Sequence, residues 1–542
     1  MMDGLMMDFP LTLSMVMRRA ELLFPEKEIV TRQPDRSFHR YTYSEWIRRS
    51  KKLALALKKL GVKDGDRIGS FCWNHYQHYE LYFGIPAMGA VLHTLNLRLG
   101  AEDLSYIINH ADDQILFIDE SLLPLFEKFR EKVSFKKVIV ISQKGNIPEG
   151  MLDYEELLAA EDDKDFEYTD WDENKAISMC YTSGTTGKPK GTVYSHRSTV
   201  LHAMVCAMSS GLGLNQNDIL LPVVPMFHAN AWGIPFAAPL VGCGLVFPGP
   251  FLDPPSLLEA FEQEKVTITG GVPTIWIGML KVLDENPTAY NLSKMRTLLV
   301  GGSAVPKSLI DDFESRHNLN IVHAWGMTEM SPLGTINSLK PRLINSDRPT
   351  QLNYRATQGL PVNLVEFRIR GDEGLLEFDG QSMGELEVRG PYIASAYYNS
   401  PEGADKFTED GWFKTGDIAT IDPDCYLEIK DRTKDLVKSG GEWISSVELE
   451  NALMGHEAVA EAAVFAVAHE KWQERPLAAV VLQEGKSAGK DELIAHLAKE
   501  FPKWWLPDDV VFIEEIPKTS VGKFKKIVLR ETFQNHLINP HS

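Results

Sequence analysis

Residues 181–191, Tyr-Thr-Ser-Gly-Thr-Thr-Gly-Lys-Pro-Lys-Gly, concentrate three glycines, four Ser/Thr hydroxyls and two lysines in eleven residues. Glycine lets bare backbone N–H groups approach a ligand closely, hydroxyls add donors, and lysines add positive charge. That combination suits a polyphosphate. The Walker A spacing is absent. That motif needs a Gly–Lys pair followed by Ser or Thr, with another Gly five residues before the second Gly. Here Thr182 stands five residues before Gly187, and Pro189 follows Lys188. A P-loop NTPase is therefore disfavoured. Taken alone, the residues fit both a phosphate cradle and a solvated turn.

The elements that would frame such a loop are legible as alternating helices and strands. Thr42-Tyr-Ser-Glu45 is a capping box and predicts an amphipathic helix to Leu60, closed by Gly61. Tyr43, Trp46, Ile47, Leu53, Ala54, Leu57 and Leu60 form its apolar stripe. Strands are expected at 66–71, 91–96, 115–118, 137–141, 245–247, 268–270 and 298–300, with a second helix over 78–89. Short apolar strands alternating with helices predict parallel sheets covered on both faces. From about Gly359 the pattern becomes polar alternation, at 365–369, 384–389 and 426–429, which predicts a smaller β-rich subdomain.

Length and charge narrow the class. A chain of 542 residues exceeds one ordinary core. Its 44% hydrophobic and 24% charged content is that of a globular protein. A formal charge of −19 argues against a nucleic-acid surface, while leaving room for locally basic loops. The five cysteines are scattered with no C-x-x-C pair, so neither a zinc site nor a disulfide framework is indicated, and a reducing cytoplasm is the simplest setting. No signal peptide and no apolar run long enough for a transmembrane helix are expected.

Six further segments decide between cradle and turn. They are Pro225-Met-Phe-His228, Val300-Gly-Gly-Ser-Ala304, Ala324-Trp-Gly-Met-Thr-Glu329, Trp412-Phe-Lys-Thr-Gly-Asp417, 431–443 (Asp-Arg-Thr-Lys-Asp-Leu-Val-Lys-Ser-Gly-Gly-Glu-Trp) and Pro517-Lys-Thr-Ser-Val-Gly-Lys523. With the 181–191 loop they resemble, in order, the motifs of the acyl-adenylate-forming (AMP-binding) superfamily. The 438–445 version resembles its bacterial medium- and long-chain fatty-acid–CoA ligases and 3-methylthiopropionate–CoA ligases. The resemblance covers nearly the whole chain. It implies an α/β fold with a large N-terminal domain over 1–430, built from two parallel-type sheets and a β-rich subdomain at about 359–430. A hinge at 431–434, with Lys434 as its pivot, would lead to a small mobile α+β domain over 435–542.

The implied reaction joins a carboxylic acid to CoA through an acyl-AMP, consuming ATP with Mg²⁺. The resemblance assigns the phosphates to Thr182, Ser183, Gly184, Thr185, Thr186, Gly187 and Lys190, and the metal to Glu329 and Thr185, beside Thr328. Gly301, Gly302, Ser303, Trp325 and Gly326 would frame the adenine, with Trp325 standing where Tyr is commoner. Asp417 and Arg432 would grip the ribose, two carboxylate oxygens matching a vicinal diol. Lys434, Lys438 and Trp443 would be further nucleotide contacts. Lys523 would reach the α-phosphate and the substrate carboxylate. Gly440, Gly441 and Glu442 would line the CoA channel. His228, Asn230, Trp232, Val272, Pro273 and Gly326 would line the acyl pocket, as would the rest of 272–276, ending in Trp276. His228 and Thr185 complete the catalytic set with Lys523 and Glu329.

No Asp follows His228 where amino-acid-activating domains hold an ammonium; Ala229, Asn230 and Ala231 stand there. The substrate is thus expected to be a medium- or long-chain fatty acid or 3-methylthiopropionate. A non-CoA acceptor and a non-catalytic acyl or nucleotide sensor are the competing readings. A cytoplasmic homodimer is expected.

Overall fold

The computed structural model describes residues 4–143, 145–182, 188–439, 442–469, 471–518 and 524–538. The capping box forms as read. Thr42 accepts the Glu45 N–H, and the Glu45 carboxylate accepts the Thr42 N–H, at the start of the Tyr43–Lys59 helix. Gly61 follows in the left-handed conformation, φ +83°. The apolar stripe is buried, and Trp46 stacks on Tyr79 of the next helix, ring centroids 4.8 Å apart. That helix, Tyr76–Ala87, begins two residues before its expected start because His75 caps it, accepting the His78 N–H.

Two parallel-type sheets make the large unit. In one, the spatial order is Leu152–Asp153, Lys137–Ile141, Asp113–Asp119, Arg67–Phe71, Val91–Thr94, Ala176–Tyr181 and Gly191–Ser195. Its pairs are parallel except the last, where the strands flanking the 182–190 loop run antiparallel. The other sheet runs Leu360–Pro361, Leu333–Ile336, Ile321–Gly326, Thr297–Val300, Ile268–Gly271, Ile219–Pro222, Gly244–Phe247, Glu28–Arg32 and Phe38–Thr42. It is parallel through its middle and antiparallel at both ends. The facing sides of the two sheets and the helices between them share one apolar core.

The β-rich region is a five-stranded antiparallel sheet: Gly374–Leu375, Glu366–Gly371, Gly384–Arg389, Phe413–Ile421 and Leu427–Arg432. Its last strand runs to Arg432, so the expected hinge at 431–434 begins inside a strand. The segments after it build a separate sheet from Val437–Ser439, Glu442–Ile444, Val459–His469, Gln473–Leu482 and Asp509–Phe512. That sheet is covered by the Ser446–Met454, Lys490–Leu497 and Lys526–Phe533 helices and has apolar cores of its own around Leu449, Val464, Val480 and Phe465.

Candidate active site

A cavity of ≈ 730 Å³ opens at the carboxyl ends of the central strands of the larger sheet. Val223–Pro225, Gly271–Val272, Gly301–Gly302 and Ala324–Gly326, the segments at or just past four strand ends, all line it. Ligand sites of open parallel sheets form at this edge, where loops diverge. The chain is acidic overall, yet Arg98, Lys188, Lys190, Lys406, Lys414 and Arg432 face this one space. The concentration of cations favours a polyanion.

The polar arrangement around Asp417 follows from strand register. Asp417 and Arg432 are directly opposed on antiparallel strands, which brings Arg432 Nε to 2.5 Å from Asp417 Oδ1. The second oxygen, Oδ2, accepts the Trp325 indole N–H at 3.0 Å. Asp417 is 1% exposed, so two donors fix a carboxylate that has almost no freedom. Trp325 reaches it from the Ile321–Gly326 strand, at a register irregularity between Trp325 and Gly326. Gly334 makes the room: a Cβ there would lie 2.7 Å from the indole ring. The tryptophan that departs from the commoner tyrosine thus supplies a donor to Asp417, a role its motif gave no hint of. Gly301 and Gly302 lie on the same cavity; Ser303 and Asp417 line the adjoining one.

Glu329 sits in the short turn Thr328–Met330, 6% exposed. Tyr397 donates its hydroxyl to Glu329 Oε1 at 2.6 Å. Burial pushes the Tyr397 phenol well above its usual range, and the carboxylate beside it adds to the shift, so it remains a donor. Tyr194 holds the turn by donating to the Thr328 carbonyl at 2.7 Å. Among the described residues Glu329 has no ion-pair partner, and a buried carboxylate without a cation is costly. A single hard oxygen donor of this kind fits Mg²⁺, which keeps much of its own water and leans on substrate phosphates. Tyr397 was not anticipated, since no local pattern ties residues 68 positions apart. Lys190 Nζ lies 5.0 Å from the Tyr397 ring centroid, and the Lys190 N–H is held by Thr182 Oγ1 at 3.1 Å. Ser183, Gly184, Thr185, Thr186 and Gly187 lie outside the described residues.

The acyl-side segment takes an unexpected form. Ala229, Asn230, Ala231 and Trp232 have φ values of 43°, 53°, 48° and 57°, a left-handed turn of four non-glycine residues. Each such residue costs roughly 1–2 kcal/mol. The turn carries Trp232 into a notch cut by glycines: added Cβ atoms at Gly270 and Gly301 would lie 3.5 and 3.2 Å from its ring. It also corrects the assignment of Asn230, which does not line the cavity. Its amide turns into the core, donating to Ser178 Oγ at 3.3 Å and receiving the Cys180 thiol at 3.6 Å. His228, Trp232, Val272 and Gly326 do line the cavity. Pro273 faces the adjoining cavity instead. Trp276 is fully buried core, seated where Gly271 has no side chain. Strand alternation explains the pair: Gly270 and Gly271 present opposite faces, one to Trp232 and one to Trp276.

The adjoining cavity, ≈ 700 Å³, lies between the large unit and the C-terminal one. Trp325, Asp417, Arg432 and Lys434 line one side; Asn451, Met454, Lys518 and Phe524 line the other. Lys518 and Phe524 pair in an antiparallel bridge, and both line the space that Asp417 also lines. Lys523 itself, like Gly440 and Gly441, lies outside the described residues. Glu442 sits in the Glu442–Ile444 strand. Lys438 and Trp443 line neither cavity. They are opposed across two strands and satisfy each other, the ammonium 4.4 Å from the ring centroid. Burial lowers the Lys434 ammonium from its usual range.

Residues 18–398 match the family of AMP-binding enzymes, and residues 448–523 match the AMP-binding enzyme C-terminal domain. The chain is 48% identical over 535 residues to a long-chain-fatty-acid–CoA ligase of Thermus thermophilus, covering 98% of this chain and 97% of that one. It is 42% identical over 543 residues to a 3-methylmercaptopropionyl-CoA ligase of Ruegeria lacuscaerulensis, covering 99% and 100%. Among solved structures, an anthranilate CoA ligase in complex with anthranoyl-AMP superposes with a TM-score of 0.87 at 25% identity, covering 97% and 98%.

Proposed function

Because the chain belongs to the AMP-binding enzyme family, we propose that it is an AMP-forming acid–CoA ligase: acid, ATP and CoA give acyl-CoA, AMP and pyrophosphate through an acyl-AMP. The observation that carries this reading is one continuous cavity in which cationic side chains and the Glu329 carboxylate share the lining with an apolar arm. The charged lining could take a nucleotide polyphosphate and the arm an acyl chain. Relatives named as ligases for long-chain fatty acids and for 3-methylmercaptopropionate support the same chemistry.

In the first step a substrate carboxylate oxygen attacks the α-phosphorus and pyrophosphate departs. The acid is already ionised near pH 7, so no protein base is required. The obstacle is repulsion between anions, and positioning with charge neutralisation overcomes it. Asp417, oriented by Arg432 and Trp325, would accept the ribose hydroxyls. Lys190 and the 182–187 loop would hold the terminal phosphates. Glu329, steadied by Tyr397, and Thr185 would hold Mg²⁺, which when bound offsets phosphate charge. Lys523 would meet the α-phosphate and the carboxylate; that Lys518 and Phe524 line the same cavity as Asp417 supports that role. In the second step the CoA thiolate attacks the acyl carbonyl and AMP leaves. Movement of the 435–542 domain about Lys434 would replace Lys523 with the Gly440–Gly441–Glu442 segment. A cytoplasmic homodimer completes the proposal. No helix among the described residues is long and apolar enough to cross a membrane, and exposed Leu5, Met6, Met7 and Phe9 offer apolar surface for a second copy.

Pyrophosphate release measured over a panel of fatty and thioether acids, with and without CoA, tests the reading. Acid-dependent release with thioester formation is expected. Release that ignores the acid, or no release with any acid, would overturn it.

A further inference from the structure

The apolar arm of the cavity is lined by Cys206, Leu212, Val223, Val224, Leu299 and Leu333. Leu212 differs from the others in what lies behind it. It belongs to a return loop after the His196–Ala207 helix. Leu212 N–H bonds the Cys206 carbonyl at 2.9 Å, Leu214 N–H bonds the Ala207 carbonyl at 3.1 Å, and Gly211 and Gly213 N–H groups both bond the Met208 carbonyl at 2.9 Å. The loop therefore lies flat on the helix end. Any side chain at Gly211 would collide with it, an added Cβ falling 2.2 Å from the Val205 carbonyl oxygen.

From outside, Arg296 clasps the same loop. Its Nη2 donates to the carbonyls of Leu212 at 3.1 Å and Gly213 at 2.9 Å. Its Nε and Nη2 also meet the two oxygens of Asp218 at 2.9 Å each. Asp218 is held in turn by Asn215 and Thr267. Arg296 is 38% exposed while Leu212 is 6% exposed. One face of this residue meets the cavity and its carbonyl meets a guanidinium at the surface, so Leu212 is a wall one residue thick.

The wall stands opposite the reacting end. Arg296 precedes the Thr297–Val300 strand and Asp218 precedes the Ile219–Pro222 strand, whereas Gly301 and Pro225 lie beyond the other ends of those strands. Five residues of strand at about 3.3 Å each separate Arg296 from Gly301, roughly 17 Å. With bonds of about 1.5 Å, an extended saturated chain advances roughly 1.3 Å per carbon; about thirteen carbons would span that distance, and because Arg296 lies behind Leu212 the arm itself holds fewer.

We infer that Leu212, held in place by Arg296, is the floor of the acyl arm and limits this enzyme to medium-chain acids. Leu212 is the specificity-determining residue and Arg296 its positioning residue. This rests on the acid–CoA ligase reading and names the substrate class within it.

The experiment measures kcat/KM for straight saturated acids from four to eighteen carbons, in the wild type and in Leu212→Ala, Leu212→Phe and Arg296→Met. The wild type should peak at eight to twelve carbons and fall at least tenfold by sixteen. Leu212→Ala should raise the sixteen-carbon value at least tenfold relative to the eight-carbon value. Leu212→Phe should move the optimum the other way, a reversal that general damage to packing would not produce. Arg296→Met should broaden the profile toward long chains with the six-carbon kcat unchanged. A wild-type preference for sixteen carbons or more, or Ala and Phe profiles that keep the wild-type optimum, overturns the floor. Absence of turnover with every acid would instead sink the ligase reading, so the two failures are distinct.

Discussion

Replacing Trp325 by Phe isolates one hydrogen bond at the nucleotide end. Phe keeps an aromatic face against the ligand but removes the indole N–H that reaches Asp417 Oδ2 at 3.0 Å. Hydrogen bonds to charged groups contribute about 1.5–3 kcal/mol. Arg432 still holds the other oxygen at 2.5 Å, so the carboxylate loses one of two restraints, and the lower end of that range applies. A loss of about 1.5 kcal/mol is roughly tenfold in apparent ATP affinity. The assay is acid-dependent ATP–pyrophosphate exchange with ATP varied: KM for ATP should rise about tenfold while saturating exchange falls less. A double-mutant cycle with Asp417→Asn provides the control. With the charge gone, Trp325→Phe should change KM far less. A KM within twofold of wild type, or an equal loss in both backgrounds, would refute the claim that Trp325 acts through Asp417.

Tyr397→Phe should raise the Mg²⁺ concentration needed for half-maximal exchange several-fold, because Glu329 loses its only described side-chain donor; an unchanged magnesium titration would detach Tyr397 from the metal site. Lys523→Ala should depress acyl-AMP formation about 10²-fold while supplied acyl-AMP is still converted to thioester; equal losses in both half-reactions would remove Lys523 from the first step. Glu450, buried beside Lys526 at 2.6 Å, is pushed up to about 7 by burial, against the pull of the ammonium. An acid whose folded pKa is raised binds its proton more tightly in the native state, so its contribution is present below about 4.5 and is lost as pH rises through about 7. Glu450→Gln should therefore flatten the fall in melting temperature of wild type between pH 5 and 8, and an unchanged slope would contradict the shift.

What the sequence revealed and what it hid divide along physical lines. Local signals were dependable: the Thr42–Glu45 capping box, the left-handed Gly61 and the short apolar strands all depend on neighbours within a few residues. The Asp417–Arg432 pair was legible as a motif, but its cause, direct opposition on two antiparallel strands, was not. Contacts set by tertiary approach were invisible. Trp325 to Asp417 spans 92 residues and Tyr397 to Glu329 spans 68, and nothing local distinguishes those aromatics from core. Asn230 was misread because a run of non-glycine residues in the left-handed region has no sequence cue strong enough to predict it, and that turn rotates the amide into the core. Lys438 and Trp443 pair across two strands, and the sequence alone could not show it, because a cross-strand cation–π pair and a ligand-binding pair use the same residue types. Trp276 was drawn into the pocket by proximity to Val272, although strand alternation at Gly270 and Gly271 sends the two tryptophans to opposite faces.

The central claim is a covalent acyl-AMP, and oxygen transfer tests it most directly. A substrate acid carrying ¹⁸O in both carboxylate oxygens is turned over with unlabelled ATP and CoA, and the AMP is weighed by mass spectrometry. Attack of one carboxylate oxygen on the α-phosphorus, followed by thiolate attack at the acyl carbon, leaves that oxygen on AMP and the other in the thioester. One ¹⁸O per AMP formed is the predicted result; unlabelled AMP, or ADP and phosphate as products, would contradict it.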